Sequence, residues 1–292
     1  MRIDLHTHST ASDGTESPTE LVRSAVAAGL DVLALTDHDS SHGWAEAAAA
    51  ATEAGLTLVR GMEISTRHEG RGVHLLAYLP DPSYEPLDRE LRAILDGRST
   101  RVPAVVERLR ELGIEIEMDD VLRAAGPTAA LGRPHIADAL VTLGVVVDRN
   151  EAFATLLGAG CPAYVDRYAA PLRELIPIIT AAGGVSVIAH PWGRHLHTTL
   201  DRDDLAKLRD LGLVGVEVDH QDHDAEIRDR LRAVARELDL VVTGSSDYHG
   251  VGKKDHPLGC NTTSPDDYAR LVELAAEASR ASGRRTPGVV AR

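Results

Sequence analysis

The sequence predicts an α/β barrel of seven strands that carries a helical insertion. Three observations lead there. Short β-type runs recur along the chain, several of them followed by an amphipathic helical pattern. One interval, Leu79 to Val185, breaks that alternation and holds helical patterns only. Histidines and acids gather where the strands end, the face at which barrels of this kind build their active sites.

The elements follow in order. Ile3–His6 is the first strand. Pro18–Ala28 is the first helix, with Ser17 as N-cap and Pro18 at the first helical position. Val32–Thr36 and the helix Gly43–Ala54 come next. Thr57–Ile64 and Val73–Leu79 are the third and fourth strands. The link between Glu63 and His74 is short, so the fourth strand is expected to run antiparallel to the third. That returns His74 to the same rim. Four helical patterns then fill the long interval: Arg98–Leu112, Met118–Ala125, Arg133–Leu143 and Asn150–Leu157. The first has Val102, Val105, Val106 and Leu109 close to helical spacing. Afterwards the rhythm resumes with helix Pro171–Ala182, strand Val185–Ala189, helix Asp203–Leu211, strand Val214–Val218, helix Ala225–Leu238, strand Leu240–Thr243 and helix Pro265–Ala278. The expected organisation is a discontinuous barrel (1–97 and 170–278), a helical insertion (98–169) and a disordered tail (279–292), whose Gly, Pro, Ser and Arg show no periodicity.

Composition narrows the function. With 43% hydrophobic residues in 292, the chain can bury a sizeable core. Aromatics are only 3%, with the single Phe153, so Ala, Val and Leu must fill that core. Asp and Glu number 45 against 31 Lys and Arg, a formal charge of −14, which disfavours a broad basic surface for duplex DNA. The longest apolar stretch, Leu175 to Ala189, is broken by Pro177 and Gly183-Gly184 and is too short for a bilayer. Cys161 and Cys260 cannot build a disulfide framework and read as free thiols. The first strand begins at once, with no room for a secretory leader. A cytoplasmic location is expected.

Histidine is abundant, at 14, whereas lysine appears only as Lys207, Lys253 and Lys254. His6 and His8 are two residues apart on an extended segment, so both rings can face one metal. Asp13 follows in a Ser-Asp-Gly turn. His38 ends the second strand, Glu63 the third and His190 the fifth, while His74 opens the fourth. Asp247 and His249 follow the seventh. Imidazole and carboxylate without thiolate suit Mn, Zn or Fe. Nine candidate ligands are too many for one ion; three ions fit, with one carboxylate bridging a pair. A water bound by such ions is acidified, so a metal-bridging hydroxide is the expected nucleophile. His195 and His197, just past His190, are candidates for the acid that protonates the leaving group, against an ordinary loop placement. His220 and His223 are expected near the site, and Asp37 to orient a ligand histidine. Asp39, His42, His68 and His256 read as surface residues.

Four motifs, Asp4-Leu5-His6-Thr7-His8, Thr36-Asp37-His38, Ala189-His190-Pro191 and Gly244-Ser245-Ser246-Asp247-Tyr248-His249, resemble those of the polymerase-and-histidinol-phosphatase (PHP) superfamily. The resemblance covers about 1–96 and 170–278. It implies a distorted (β/α)7 barrel with a trinuclear metal centre; manganese is the expected metal, with zinc or iron(II) as alternatives. Within the superfamily the chain is similar to the bacterial branch that takes the 3′-phosphate from nucleoside 3′,5′-bisphosphates or degrades short 5′-phosphorylated RNA. Ser12-Asp13-Gly14, Gly132-Arg133-Pro134-His135 and Leu258-Gly259-Cys260-Asn261 carry that likeness. It implies that His6, His8, Glu63 and Asp247 hold the first metal. Glu63, His74 and His190 hold the second, with Glu63 bridging, and Asp13, His38 and His249 the third. Arg133, with His135 beside it and Arg167 at the insertion's exit, is the expected phosphate clamp, since a guanidinium fork matches phosphate. The insertion carries eight Arg and no Lys against ten acids, no long basic track, so a small nucleotide is favoured over RNA. A histidinol-phosphate-type phosphatase is the alternative, although that branch has His where Asp13 stands. An amidohydrolase would want a carboxylated lysine at a strand end, where this chain has none. A non-enzymatic polymerase-associated module fits poorly with intact ligands and no polymerase-like segment.

Overall fold

The computed structural model describes residues 1–193 and 200–291. The strands are β1 (Ile3–Asp4), β2 (Val32–Leu35), β3 (Thr57–His68), β4 (Arg71–Tyr78), β5 (Ala170–Pro171), β6 (Val185–Ile188), β7 (Leu213–Asp219) and β8 (Val241–Gly244). Seven of them follow the neighbour order β1-β2-β3-β4-β6-β7-β8, with the two-residue β5 pairing off β3. Thr7 bridges Tyr248, and the His8 amide donates to the Tyr248 carbonyl at 2.9 Å, so the first and last staves meet at one rim. The result is a nearly closed, barrel-shaped sheet of seven strands within a mixed α/β fold. Pairing is parallel except at β4, which is antiparallel to both β3 and β6. The tight turn at Glu69-Gly70 forces that reversal, and the register sets His74 opposite Ser65.

Strand alternation divides the core. Leu33, Leu35 and Leu58 pack among residues of the surrounding helices: α1 (Pro18–Ala27), α2 (Trp44–Ala54), α7 (Leu172–Ala181), α8 (Arg202–Asp210) and α9 (Ala225–Glu237). Ile3, Leu5, Val32, Ala34, Val59, Val187 and Val241 form a second cluster, completed by Leu271 and Ala275 of α10 (Pro265–Ser282). Helix α1 starts as its sequence prescribes: the Ser17 hydroxyl accepts the Glu20 amide, Glu20 reaches back to the Ser17 amide, and Pro18 opens the helix. Among the described residues no helix is long and apolar enough to cross a membrane.

Three expectations are corrected. The paired part of β1 stops at Asp4, short of His6. The helix expected from Arg98 begins instead at Glu85, as α3 (Glu85–Glu111). Its first half, through Leu87, Leu91 and Ile94, packs on the barrel. Its second half, through Val102, Val105 and Leu109, enters a separate apolar cluster with Ile136, Leu140 and Leu157. A boundary at residue 98 therefore falls inside a continuous helix. The remaining helices of this region are α4 (Met118–Ala125), α5 (Arg133–Thr142) and α6 (Arg149–Ala152), the last running on as a π turn over Phe153–Leu157. The tail, expected to be disordered, is partly ordered by specific contacts. Helix α10 runs to Ser282, Val290 pairs with Leu58, and the Arg284 guanidinium reaches Asp81 at 3.2 Å while lying over the Tyr84 ring. Composition alone does not reveal a cation with a waiting carboxylate and an aromatic face.

Candidate metal centre

The polar rim lies where β1, β2, β6 and β8 end; β3 was expected to end there too, but it runs on to His68 and carries Glu63 in its middle. Beyond β1 the extended chain carries His6 and His8 side by side, their Nε2 atoms 3.1 Å apart. Gly14 closes the next turn because nothing larger fits: a Cβ there would stand 2.4 Å from the His8 carbonyl oxygen. Asp39, His190 and Asp247 hold positive φ angles of 54°, 30° and 52°. Such backbone strain in non-glycine residues clusters at functional sites.

All nine expected ligands come together. Their donor atoms fall into three groups: His6, His8, Glu63 and Asp247; Glu63, His74 and His190; and His8, Asp13, His38 and His249. Glu63 is at the centre. Its Oε1 faces His74 Nδ1 at 2.6 Å and His190 Nε2 at 3.3 Å. Its Oε2 faces His6, His8 and His38 at 3.2 Å each. His8 sits between two groups, with Nε2 toward Glu63 and Asp247 and Nδ1 toward Asp13 at 3.8 Å. All but the half-buried His74 are buried.

This donor set fits divalent cations. His38 Nδ1, His74 Nδ1 and Asp247 Oδ1 are buried and close to opposite partners, yet none is aligned in a hydrogen bond. Burial opposes ionisation of Glu63, but His74, His6 and His38 hold its carboxyl well below the usual range. Burial likewise opposes charge on His6 and His8. The neighbouring carboxylates overcome it, raising His6 well above the ordinary imidazole value and His8 to about 9. His38 and His190 are driven the other way by burial, to about 3 and about 4, and stay neutral with free lone pairs. Buried acids that draw protons onto imidazoles are acids short of positive charge, which metal ions would supply.

Surrounding residues orient the ligands. Glu217 on β7 faces His6 Nδ1 at 3.1 Å and accepts the His190 amide at 2.9 Å. Asp37 works at one remove: it accepts the Ser9 amide and the Ser12 hydroxyl, and so shapes the loop between His8 and Asp13. His220 meets Asp247 Oδ2 at 3.2 Å, which leaves Oδ1 for the cluster. His223 turns away; its Nδ1 donates to the Val218 carbonyl and its Nε2 accepts the Trp192 amide.

The cluster lines a cleft together with a set of cations: Arg98, Arg101, Arg133, Arg149 and Arg167, with Lys253 beside Asp247. Arg101 is buried and, among the described residues, its Nε has no partner; burial and the nearby Arg133, Arg167 and Arg98 push it down to about 8. Arg167 is lowered to about 10 by burial and then by Arg98. Arg133 donates to the Leu157 carbonyl at 2.8 Å and lies over the Phe153 and Tyr164 rings. His135 is different from expectation. It does not line the cleft; its Nδ1 accepts the Gly132 amide and its Nε2 donates to the Ser12 carbonyl. It braces the Asp13 loop, as does Arg149, which pairs with Asp138 and donates to the Asp13 carbonyl.

The chain belongs to the PHP family. A PHP domain is matched over residues 4–125. The chain is 37% identical over 248 residues to a 5′-3′ exoribonuclease of Haemophilus influenzae, covering 85% of this chain and 90% of that one. It is 34% identical over 257 residues to a 3′,5′-nucleoside bisphosphate phosphatase of Chromobacterium violaceum, covering 88% and 90%. A solved structure from Bifidobacterium adolescentis, provisionally assigned as a metal-dependent phosphoesterase, superposes with a TM-score of 0.89 at 39% identity, covering 93% of this chain and 96% of that one.

Several PHP residues here escaped sequence reasoning. Arg98 and Arg101 continue the apolar face of α3 set by Val102 and Val105, and charges on such a face are the signal. Glu217, the lone acid amid the apolar β7 run Val214–Val218, was another. Asp39 and His68, read as surface, are buried: Asp39 holds Arg98, and His68 lies 3.9 Å from Asp204. His42 is exposed and His256 half-buried. His195 and His197 lie outside the described residues.

Proposed function

We propose that this PHP protein removes the 3′-phosphate of nucleoside 3′,5′-bisphosphates, using three divalent ions at the three ligand groups. The reaction class, hydrolysis of a phosphate ester, is that of both named relatives, and phosphoesterase activity is the firm part of the reading. Arg101 carries the substrate assignment. A buried guanidinium whose Nε has no partner among the described residues, with four other arginines in the cleft that holds the ligand cluster, calls for an anion. A nucleotide with two phosphates satisfies both ends of that cleft at once.

Divalent ions held by the cluster supply charge neutralisation and lower the pKa of a water molecule. Manganese suits the donors; zinc and iron(II) are the alternatives. The chain's own groups do the positioning. Arg98, Arg101, Arg133 and Arg167 take the phosphate that is not cleaved, which sets the scissile one against the cluster. Lys253 donates to Asp247 Oδ2 and lines the cleft, so a cation flanks the scissile end. A 5′-phosphorylated RNA end offers the same pair of phosphates, and the exoribonuclease relative keeps that second reading open.

With added manganese, adenosine 3′,5′-bisphosphate is expected to give the highest kcat/KM in a panel with 5′-phosphorylated RNA oligomers, histidinol phosphate and p-nitrophenyl phosphate. Preference for the oligomers would select the RNA reading; preference for histidinol phosphate would remove both. Asp13→Ala is expected to lose about one metal equivalent per chain while the Glu63-linked groups stay loaded, as read by elemental analysis. Loss of all metal would overturn the three-group assignment.

A further inference from the structure

We propose that Asp39 and Ser65 are positioning residues that fix the arginine cluster against the metal-ligand cluster and so set the spacing between the two phosphates. The proposal rests on the nucleotide reading above. Asp39 is the residue after the ligand His38, and Ser65 lies two beyond the ligand Glu63 on the same face of β3. The Asp39 amide donates to the Glu63 carbonyl at 3.1 Å, which ties the two segments together. Anchors and ligands therefore share one stretch of rigid backbone.

From there the bracket reaches the insertion. Asp39 Oδ1 accepts the Ser65 amide at 2.6 Å, and Oδ2 accepts the Ser65 hydroxyl at 3.0 Å and Arg98 Nε at 2.6 Å. The Ser65 oxygen, its proton spent on Asp39, accepts from Arg98 Nη2 at 3.0 Å and from Arg167 Nη2 at 2.7 Å. One hydroxyl thus holds two guanidinium groups, from the entry and the exit of the insertion. Asp39 and Ser65 are themselves buried, so no water competes for these bonds. Among the described residues, Asp39 is the one carboxylate paired with Arg98. Without it, Arg98, Arg101, Arg133 and Arg167 repel one another and lose their common aim.

A mere charge-balancing role makes the opposite forecast. Removing an acid beside an anion site would then tighten anion binding. The test uses Asp39→Asn, Ser65→Ala and Ser65→Thr in the manganese-loaded protein. Three quantities are measured: the ratio of kcat/KM for adenosine 3′,5′-bisphosphate to that for p-nitrophenyl phosphate, the Kd for adenosine 5′-monophosphate, and bound metal. Positioning predicts a fall of about tenfold in the ratio for Asp39→Asn and Ser65→Ala, mostly through KM, with weaker monophosphate binding and metal retained. Ser65→Thr, which keeps the hydroxyl, restores the ratio. Tighter monophosphate binding, equal losses on both substrates, or loss of metal would overturn the proposal, and Ser65→Ala keeps it testable if Asp39→Asn does not fold. Arg101→Met separates the two levels: if it lowers the ratio while Asp39→Asn and Ser65→Ala do not, the bracket alone fails; if it too has no effect, the two-phosphate reading fails.

Discussion

Glu63→Gln is expected to cut hydrolysis of every phosphate ester by at least about a thousandfold and to strip metal from two of the three ligand groups. The side chain keeps its shape, so the loss isolates the charge. One carboxylate faces five imidazoles: His6, His8 and His38 on one oxygen, His74 and His190 on the other. An amide replaces one of those acceptor oxygens with an NH2 group that has no lone pair to offer a metal. It also removes the negative charge that offsets the buried cations. Elemental analysis beside initial rates, with circular dichroism to show a folded barrel, decides the point. Retention of full metal with full activity would remove Glu63 from the centre of the site.

Arg101→Met should lower kcat/KM for adenosine 3′,5′-bisphosphate, relative to p-nitrophenyl phosphate, by about tenfold to a hundredfold. That is the loss of a charge-assisted hydrogen bond, about 1.5–3 kcal/mol. The same variant should be more stable than the parent without substrate. Arg101 is buried with like-charged Arg133, Arg167 and Arg98 and, among the described residues, has no partner for Nε, so an apolar side chain of similar length removes a standing repulsion. A higher Tm with weaker bisphosphate turnover is the joint signature. A lower Tm would mean that Arg101 supports the fold. The corresponding loss for Arg133→Ala mixes binding with packing, because Arg133 also spans Leu157, Phe153 and Tyr164.

Much of this was written in short-range pattern. Short apolar β-type runs, helical spacing and the punctuation of Ser17-Pro18 locate strands and helices, because those signals act within a turn or two of backbone. The ligand cluster was legible for a similar reason. His, Asp and Glu at strand ends share one rim once the strands are parallel, whatever their exact neighbours. Even the reversal of β4 follows from a link too short to cross over.

The basic side of the cleft was legible only in part: Arg133 and Arg167 were expected there, but Arg98, Arg101 and Arg149 were not, nor was the role of His135. Whether an arginine on a helix faces water, a carboxylate or an empty cleft depends on what folds against it from elsewhere in the chain. Arg98 meets Asp39 across 59 residues, and His135 meets Ser12 across 123. The tail misread has the same origin, since Arg284 finds Asp81 only across 203 residues. Local spacing and the placement of donors near strand ends were enough to read the barrel and the chemistry of its rim. Which arginines gather beside that rim depends on the folded chain, because a charge's partner is a matter of distance in space, on which sequence spacing places no constraint.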